Sequence, residues 1–433
     1  MSKELALAED LIDFIYGSPS AFHAVDNIKT ILNKKGFIEL NECDRWEIQK
    51  GGRYFVSRND SAIISFTVGN GIVAKKGFKI IGAHTDSPSF RIKPSPEIKS
   101  EGKYMKLNTE VYGGPILNTW MDRPLSLAGR VTVKGDNILF PNTMLINIKK
   151  PILIIPNLAI HMNRNINKGV ELNKQIDLLP LMSMVNTSLE EDNILIKTIA
   201  KELEIKESDI LDFDLYLYEF QKGNIIGLNN EFVSCSRLDD LEMLHAGLYS
   251  FVNSNITDST NVLVCFDNEE VGSETKQGAD SEFLANVLER IVLCFGGDRQ
   301  DYFRALNKSF MISADSAHAV HPNKGEKSDP TNRPIINEGP VIKVSSQQKY
   351  TSDSNSIGVY EAICRQCSVP VQKFVNRSDE VGGSTIGPIS SSHISIRSVD
   401  IGTPLLAMHS IRELCGVLDH YYVEKTFEEF YKL

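Results

Sequence analysis

Two adjacent glutamates, Glu269 and Glu270, close the run Leu263-Val-Cys-Phe-Asp-Asn-Glu-Glu-Val-Gly-Ser273. An apolar, strand-like stretch ends there in carboxylates and a glycine turn, and strand ends are where α/β enzymes place their chemistry. Neighbouring residues at a strand end point different ways, so one glutamate can bind a cation while the other faces a substrate as a base. Other candidates share this context. His84 ends the run Ile80-Ile-Gly-Ala, and Asp86 follows it. Residues i and i+2 share a face, which lets Asp86 orient the His84 ring and fix the nitrogen that meets a metal. Asp239 lies in Arg237-Leu-Asp-Asp-Leu before a helix-like run, where an aspartate also suits a plain N-cap. Asp315 follows Met311-Ile-Ser-Ala, and His409 follows Leu405-Leu-Ala-Met, where a hydrogen-bonded core histidine is the bland alternative. His318 and His321 add two imidazoles at helical spacing. Singly, each is an ordinary residue. Jointly they supply imidazoles and carboxylates suited to zinc or related divalent ions. One glutamate is left over for proton transfer, which is the inventory of a hydrolase with two metals roughly 3.5–4 Å apart.

These residues need elements to hold them. Residues 4–36 carry a helical apolar period broken at Gly17-Ser-Pro-Ser20, with an N-cap signal for a second helix. Residues 53–57, 62–68 and 78–84 read as strands. From about 97 to 225 the character changes to short β-like runs (Ala128–Val133, Ile138–Phe140, Asp214–Tyr218), an Asn-rich piece from His161, and a capped amphipathic helix from Ser188. After 235, helices and strands alternate, which favours a largely parallel sheet. The expected fold is α/β: a three-layer catalytic domain from residues 1–95 and 231–433, interrupted by a β-rich inserted domain over 96–230.

Bulk properties narrow the class. The 433 residues are 42% hydrophobic and 24% charged, a globular composition long enough for two domains. The net charge of −10 argues against a nucleic-acid surface. No apolar run reaches the roughly 18 residues that span a membrane, and no secretory signal is read at the N-terminus. The seven cysteines are scattered and odd in number, which favours reduced thiols in the cytoplasm. Cys364-Arg-Gln-Cys367 sits in a helix-like stretch and reads as structural.

At this point the sequence resembles the M18 family of metalloaminopeptidases, the aspartyl aminopeptidase group. The matching motifs are Gly82-Ala-His-Thr-Asp-Ser-Pro, Thr119-Trp-Met-Asp-Arg123, Asn157-Leu-Ala-Ile-His161, Arg237-Leu-Asp-Asp-Leu, Asp267-Asn-Glu-Glu-Val-Gly-Ser, Ser313-Ala-Asp-Ser-Ala-His, Gly339-Pro-Val-Ile-Lys343, Ser384-Thr-Ile-Gly-Pro388 and Met408-His-Ser-Ile-Arg-Glu413. They span the chain in the family's order.

The resemblance implies a zinc-peptidase-like catalytic domain and an inserted dimerisation domain. It implies two divalent ions per subunit, zinc first, with cobalt or manganese as alternatives. His84 and Asp315 would bind one ion, Glu270 and His409 the other, and Asp239 both. Glu269 would be the general base. Lys343 and Tyr350 would lie near the substrate, and His161 would reach a neighbouring subunit's site. Asp86 and Asp240 would support the ligands, Asp240 standing where the family usually has Asn, and the Asp239–Asp240 bond would be cis. His318 and His321 would line a wall and bind no metal. The implied activity is removal of the first residue of a peptide, with Asp or Glu preferred there. The implied assembly is a dodecamer built from dimers. A related M42- or M20-type peptidase or deacylase, and a catalytically silent scaffold, are the rival readings.

Overall fold

The computed structural model describes residues 2–185 and 193–433. The chain forms two compact units, one of Met1–Asp86, Gly223–Met408 and Glu413–Leu433, the other of Ser87–Lys222 and His409–Arg412. The second unit starts before the expected residue 96 and ends before 230. It also takes in His409–Arg412, which the sequence reading left with the last catalytic segment.

The first unit is built on a nine-stranded sheet. Strands Phe78–His84, Thr260–Phe266, Phe310–Ala314 and Arg397–Gly402 run parallel through its middle. The hairpin Arg53–Arg58 with Ala62–Thr67 and the strand Val341–Val344 join it antiparallel, so the sheet is mixed but largely parallel. Its middle strands are buried on both faces, which is why they read as unbroken apolar runs. Alternate residues serve opposite layers. Ile81, Leu263, Cys265 and Ile312 pack with residues of helices Lys3–Gly17, Leu238–Asn253 and Val417–Lys432. Ile80, Val262, Val264, Phe266 and Met311 pack with residues of helices Phe283–Cys294, Arg299–Lys308 and Ile386–Ile394. Each large apolar side chain fully buried here contributes about 1.5–3 kcal/mol, enough in sum to hold the strand ends rigid.

The N-terminal helices fall at Lys3–Gly17 and Ala21–Lys34 as the period predicts. Ser20 stands at the N-cap position, but its hydroxyl pairs with the His23 ring at 2.8 Å instead of capping the helix. Cys364 is buried on helix Ser354–Gln366, Cys367 follows its end, and none of the seven cysteines is in a disulfide. No helix among the described residues is long and apolar enough to cross a membrane.

The second unit is a six-stranded antiparallel sheet. Leu125, Leu127, Val131 and Val133 alternate into its core with Leu215 and Leu217, around Phe90 and Trp120. Ile138-Leu-Phe140 is not the expected strand run. Ile138 and Leu139 form the turn between Leu125–Asn137 and Phe140–Asn147, 96% and 81% exposed, and Phe140 opens the second strand. Asn137 decides this, since its side-chain oxygen accepts from the Leu139 N–H at 2.9 Å and bends the chain. The helix expected from Ser188 is seen at Ile194–Glu202; its expected start lies outside the described residues.

Candidate metal centre

Parallel strands deliver their carboxyl ends to one edge of the sheet. In register, Phe266 lies opposite His84 and Ser313 opposite Gly82. His84, the turn after Phe266, and Asp315 therefore leave the sheet side by side. The glutamate pair is not on the strand itself. The chain turns at Asn268, with φ +61°, and Glu269–Val271 forms a 3-10 turn. Asp86 fixes that turn: its two carboxylate oxygens accept from the backbone N–H of Glu269 (3.1 Å) and of Glu270 (3.2 Å). Asp86 also orients His84, as the i, i+2 spacing suggests, though its carbonyl is the nearer partner. His84 Nδ1 donates to that carbonyl at 3.1 Å, with the Asp86 carboxylate 3.4 Å away. Nε2 thereby faces Asp239 Oδ1 at 3.5 Å.

Asp239 is not a helix N-cap. Its backbone and that of Asp240 are non-helical at the start of Leu238–Asn253, no side chain caps this helix, and the bond between them is cis. Glu413 accepts from the Asp239 N–H at 3.0 Å, and Asp240 Oδ2 accepts from the His84 N–H at 3.0 Å. Asp240 Oδ1 is buried and has no hydrogen-bond partner among the described residues.

His84, Asp239, Asp240 and Asp315 bring ligand atoms within 4.8 Å of one another, and so do His84, Glu269 and Glu270. The first four are all buried. Burial raises the pKa of Asp240 far above the carboxylate range, with Asp315 and Asp239 adding and His84 opposing. Burial likewise raises Asp315 against the pull of Lys343, and lifts Glu269 to about 8. For His84 burial opposes the charged ring, but Asp240, Asp239 and Asp86 outweigh it and hold the pKa well above its usual value. Acceptors thus crowd a space whose one neighbouring ammonium among the described residues, Lys343, reaches only Asp315. Divalent cations would supply the balancing charge, and imidazole nitrogen with carboxylate oxygen is zinc's donor chemistry. The residues fit a metal.

The other expected residues are placed as follows. Lys343 is buried; its ammonium donates to the Ser316 carbonyl (3.1 Å), lies 3.5 Å from Asp315 and sits over the Tyr350 ring. Burial would lower its pKa, but Asp315, Tyr350, Asp400 and Asp239 raise it, so it stays charged. His409 belongs to the second unit, with φ +66° and Nδ1 donating to the Gly114 carbonyl at 3.1 Å. That bond requires a proton on Nδ1, which makes Nε2 the nitrogen able to meet a metal. His161 is on an exposed turn of the second unit. His318 and His321 do not lie on a helix. His318 lies in a short strand paired with Pro404–Leu405, its ring against Phe374, and His321 accepts from the Asn323 N–H. Sequence reasoning gave no role to Glu413 or Asp400, both buried. For Asp400 the signal was present: a lone carboxylate inside the apolar run Val399-Asp-Ile.

Fold and site together define a metal-dependent hydrolase. The Aminopeptidase I zinc metalloprotease (M18) family matches residues 14–431, and the chain belongs to that family. It is 68% identical over 433 residues to a probable M18 family aminopeptidase 2 of Clostridium novyi (strain NT), spanning 100% of both chains. Its fold matches a chain of the cryo-EM structure of the Ape4 and Nbr1 complex, with TM-score 0.95, 37% identity, and 99% of this chain and 86% of that one covered. It also matches the S. cerevesiae mApe1 dodecamer, with TM-score 0.85, 27% identity, and 98% and 96% covered. The chain is a metalloaminopeptidase.

Proposed function

We propose that this aminopeptidase uses two divalent ions and Glu269 to hydrolyse the first peptide bond, with acidic first residues preferred. His84 and Asp315 would hold one ion, Glu270 and His409 the other, and Asp239 both. Bound ions supply a water acidic enough to react near neutral pH and polarise the scissile carbonyl. Glu269 accepts the proton of the attacking water and returns it to the leaving amine. Asp86 holds the Glu269 backbone, and Glu413 the Asp239 backbone, so the carboxylates need no reorganisation during reaction. Asp240 receives the His84 N–H and keeps that ligand's strand end in place. The observation that carries this reading is the buried His84–Asp239–Asp240–Asp315 cluster with Glu269 beside His84. Glu269→Gln tests it: kcat falls and metal content stays at the wild-type level. Loss of metal in that variant would make Glu269 a ligand and overturn the assignment.

Lys343 is the cation we assign to reading an acidic first side chain, a charge-assisted contact. Rates on Asp-, Glu- and Leu-anilides decide it, and a clear preference for Leu overturns it. The second unit we read as the dimerisation element of a dodecamer, with His161 serving a neighbouring subunit's site. Leu158, Ile160 and Met162 are exposed around His161, which supports a protein-covered turn. Light scattering after size exclusion tests this, and an active monomer overturns it. Seven cysteines, none in a disulfide, support a reducing, cytoplasmic setting. Zinc is the proposed metal; activity of apoprotein reloaded with zinc, cobalt or manganese ranks the three.

A further inference from the structure

Asp400 sits in the middle of strand Arg397–Gly402, fully buried and directly opposite Ser313 on the neighbouring strand. Four hydrogens converge on its carboxylate. The Ser313 hydroxyl (2.7 Å) and the Thr385 hydroxyl (2.6 Å) donate to Oδ1; the Thr351 N–H and hydroxyl (both 2.6 Å) donate to Oδ2. All four partners are donors, so the side chain is used wholly as an acceptor. The backbone of the same residue adds another tie, since its N–H donates to the Ser352 hydroxyl at 3.0 Å.

The partners come from three separate stretches. Ser313 is on the strand that leads to Asp315. Thr351 and Ser352 follow Tyr350. Thr385 is the N-cap residue of helix Ile386–Ile394, yet its hydroxyl makes no cap bond to its own helix and serves Asp400 instead. Gly387 leaves room for this: a Cβ there would stand 2.6 Å from both Asp400 oxygens. The carboxylate thus lies against the first turn of that helix, where the backbone dipole favours negative charge. Lys343 and Asp315 are close enough to feel the charge of Asp400.

We propose that Asp400 is a positioning residue that fixes the Tyr350–Thr351 loop and the Thr385–Gly387 helix start against the strand carrying Asp315, and so sets the wall that receives the first residue of the substrate. This gives the motif Ser384-Thr-Ile-Gly-Pro388 a purpose: Thr385 and Gly387 form the socket of that anchor. The proposal rests on the reading of Tyr350 as a substrate contact. Asp400 itself touches no substrate and acts through Thr351 and Thr385.

The test compares wild type with Thr385→Val, Thr385→Ser and Asp400→Asn, as metal-loaded protein, by peptide-anilide kinetics and by hydrogen exchange at residues 349–353. Valine removes one donor at nearly constant volume; serine restores it. Thr385→Val is expected to raise KM about tenfold with kcat within about twofold, the scale of one lost hydrogen bond to a charged group. Its metal content stays at the wild-type level, and exchange at 349–353 speeds up although residue 385 is distant in sequence. Thr385→Ser returns both KM and exchange to wild type. Asp400→Asn shows the larger form of both effects; if it does not fold, the Thr385 pair decides alone. Valine and serine variants that share the wild-type KM and wild-type exchange overturn the proposal. A wild type that cleaves no peptide overturns the aminopeptidase reading instead, and the exchange data still decide whether Asp400 anchors the loop.

Discussion

Two buried anionic centres of the first unit solve the same problem in opposite ways. At Asp400 one carboxylate receives four donors and is complete within the protein. At the end of the parallel strands, carboxylates outnumber their donors: Asp240 Oδ1 has no partner among the described residues, and burial raises Asp240 and Asp315 together. Unpaired buried charge costs several kcal/mol per ion. A site that keeps it is arranged for a cation from outside, whereas a saturated carboxylate holds the fold. The contrast sets Asp400 apart from the carboxylates proposed as ligands.

The largest effect expected from that contrast is chemical. Glu269→Gln should lower kcat by about 10²–10⁴-fold, with metal stoichiometry unchanged, measured by steady-state kinetics and elemental analysis. Next is metal removal. Chelation should lower the midpoint of thermal unfolding, and added zinc should restore it, since a ligand at about a hundredfold excess over its Kd stabilises by about 2.7 kcal/mol. A midpoint that ignores the chelator would remove the distinction between the centres. The third effect is confined to the saturated centre. Gly387→Ala forces a methyl against the Asp400 carboxylate, and should cost about 1–3 kcal/mol in denaturant unfolding while metal content holds.

The same contrast explains what could be read beforehand. His84, Asp315 and the glutamate pair announced themselves because polar residues ending apolar runs have few structural uses. The three layers were legible because doubly buried strands lack polar faces. What stayed hidden depends on long-range contact. Asp86 gripping the glutamate turn joins positions 183 and 184 residues apart, and nothing in either motif encodes it. His318 and His321 misled through spacing alone, because pairing with Pro404–Leu405 makes that segment extended. The return of His409–Arg412 to the second unit is likewise a contact property: Arg412, with Arg123, binds the buried Glu219 there.

The last expected effect, read as a slope with pH and not as a loss of activity or metal, tests a further buried acid that belongs to neither centre. Glu242 accepts from the Thr403 hydroxyl at 2.8 Å, and its other oxygen lies 3.8 Å from His420 Nδ1. Burial raises its pKa from 4.5 to about 8, with Asp419 and Glu413 adding to the rise while Thr403 and Cys415 oppose it. Burial also holds His420 well below its usual pKa, so a neutral ring faces a protonated acid. For an acid whose folded pKa is raised, the unfolded chain releases its proton first. The stability it contributes is full below about pH 4.5 and is lost as pH rises toward about 8. Glutamine keeps the acceptor for Thr403 and a donor toward His420 but cannot ionise. Glu242→Gln should therefore flatten the decline of stability across that window by up to about 1 kcal/mol per pH unit, read from denaturant midpoints at several pH values. Equal slopes in the two proteins would mean that the folded state does not hold the proton on Glu242 and would overturn the raised pKa.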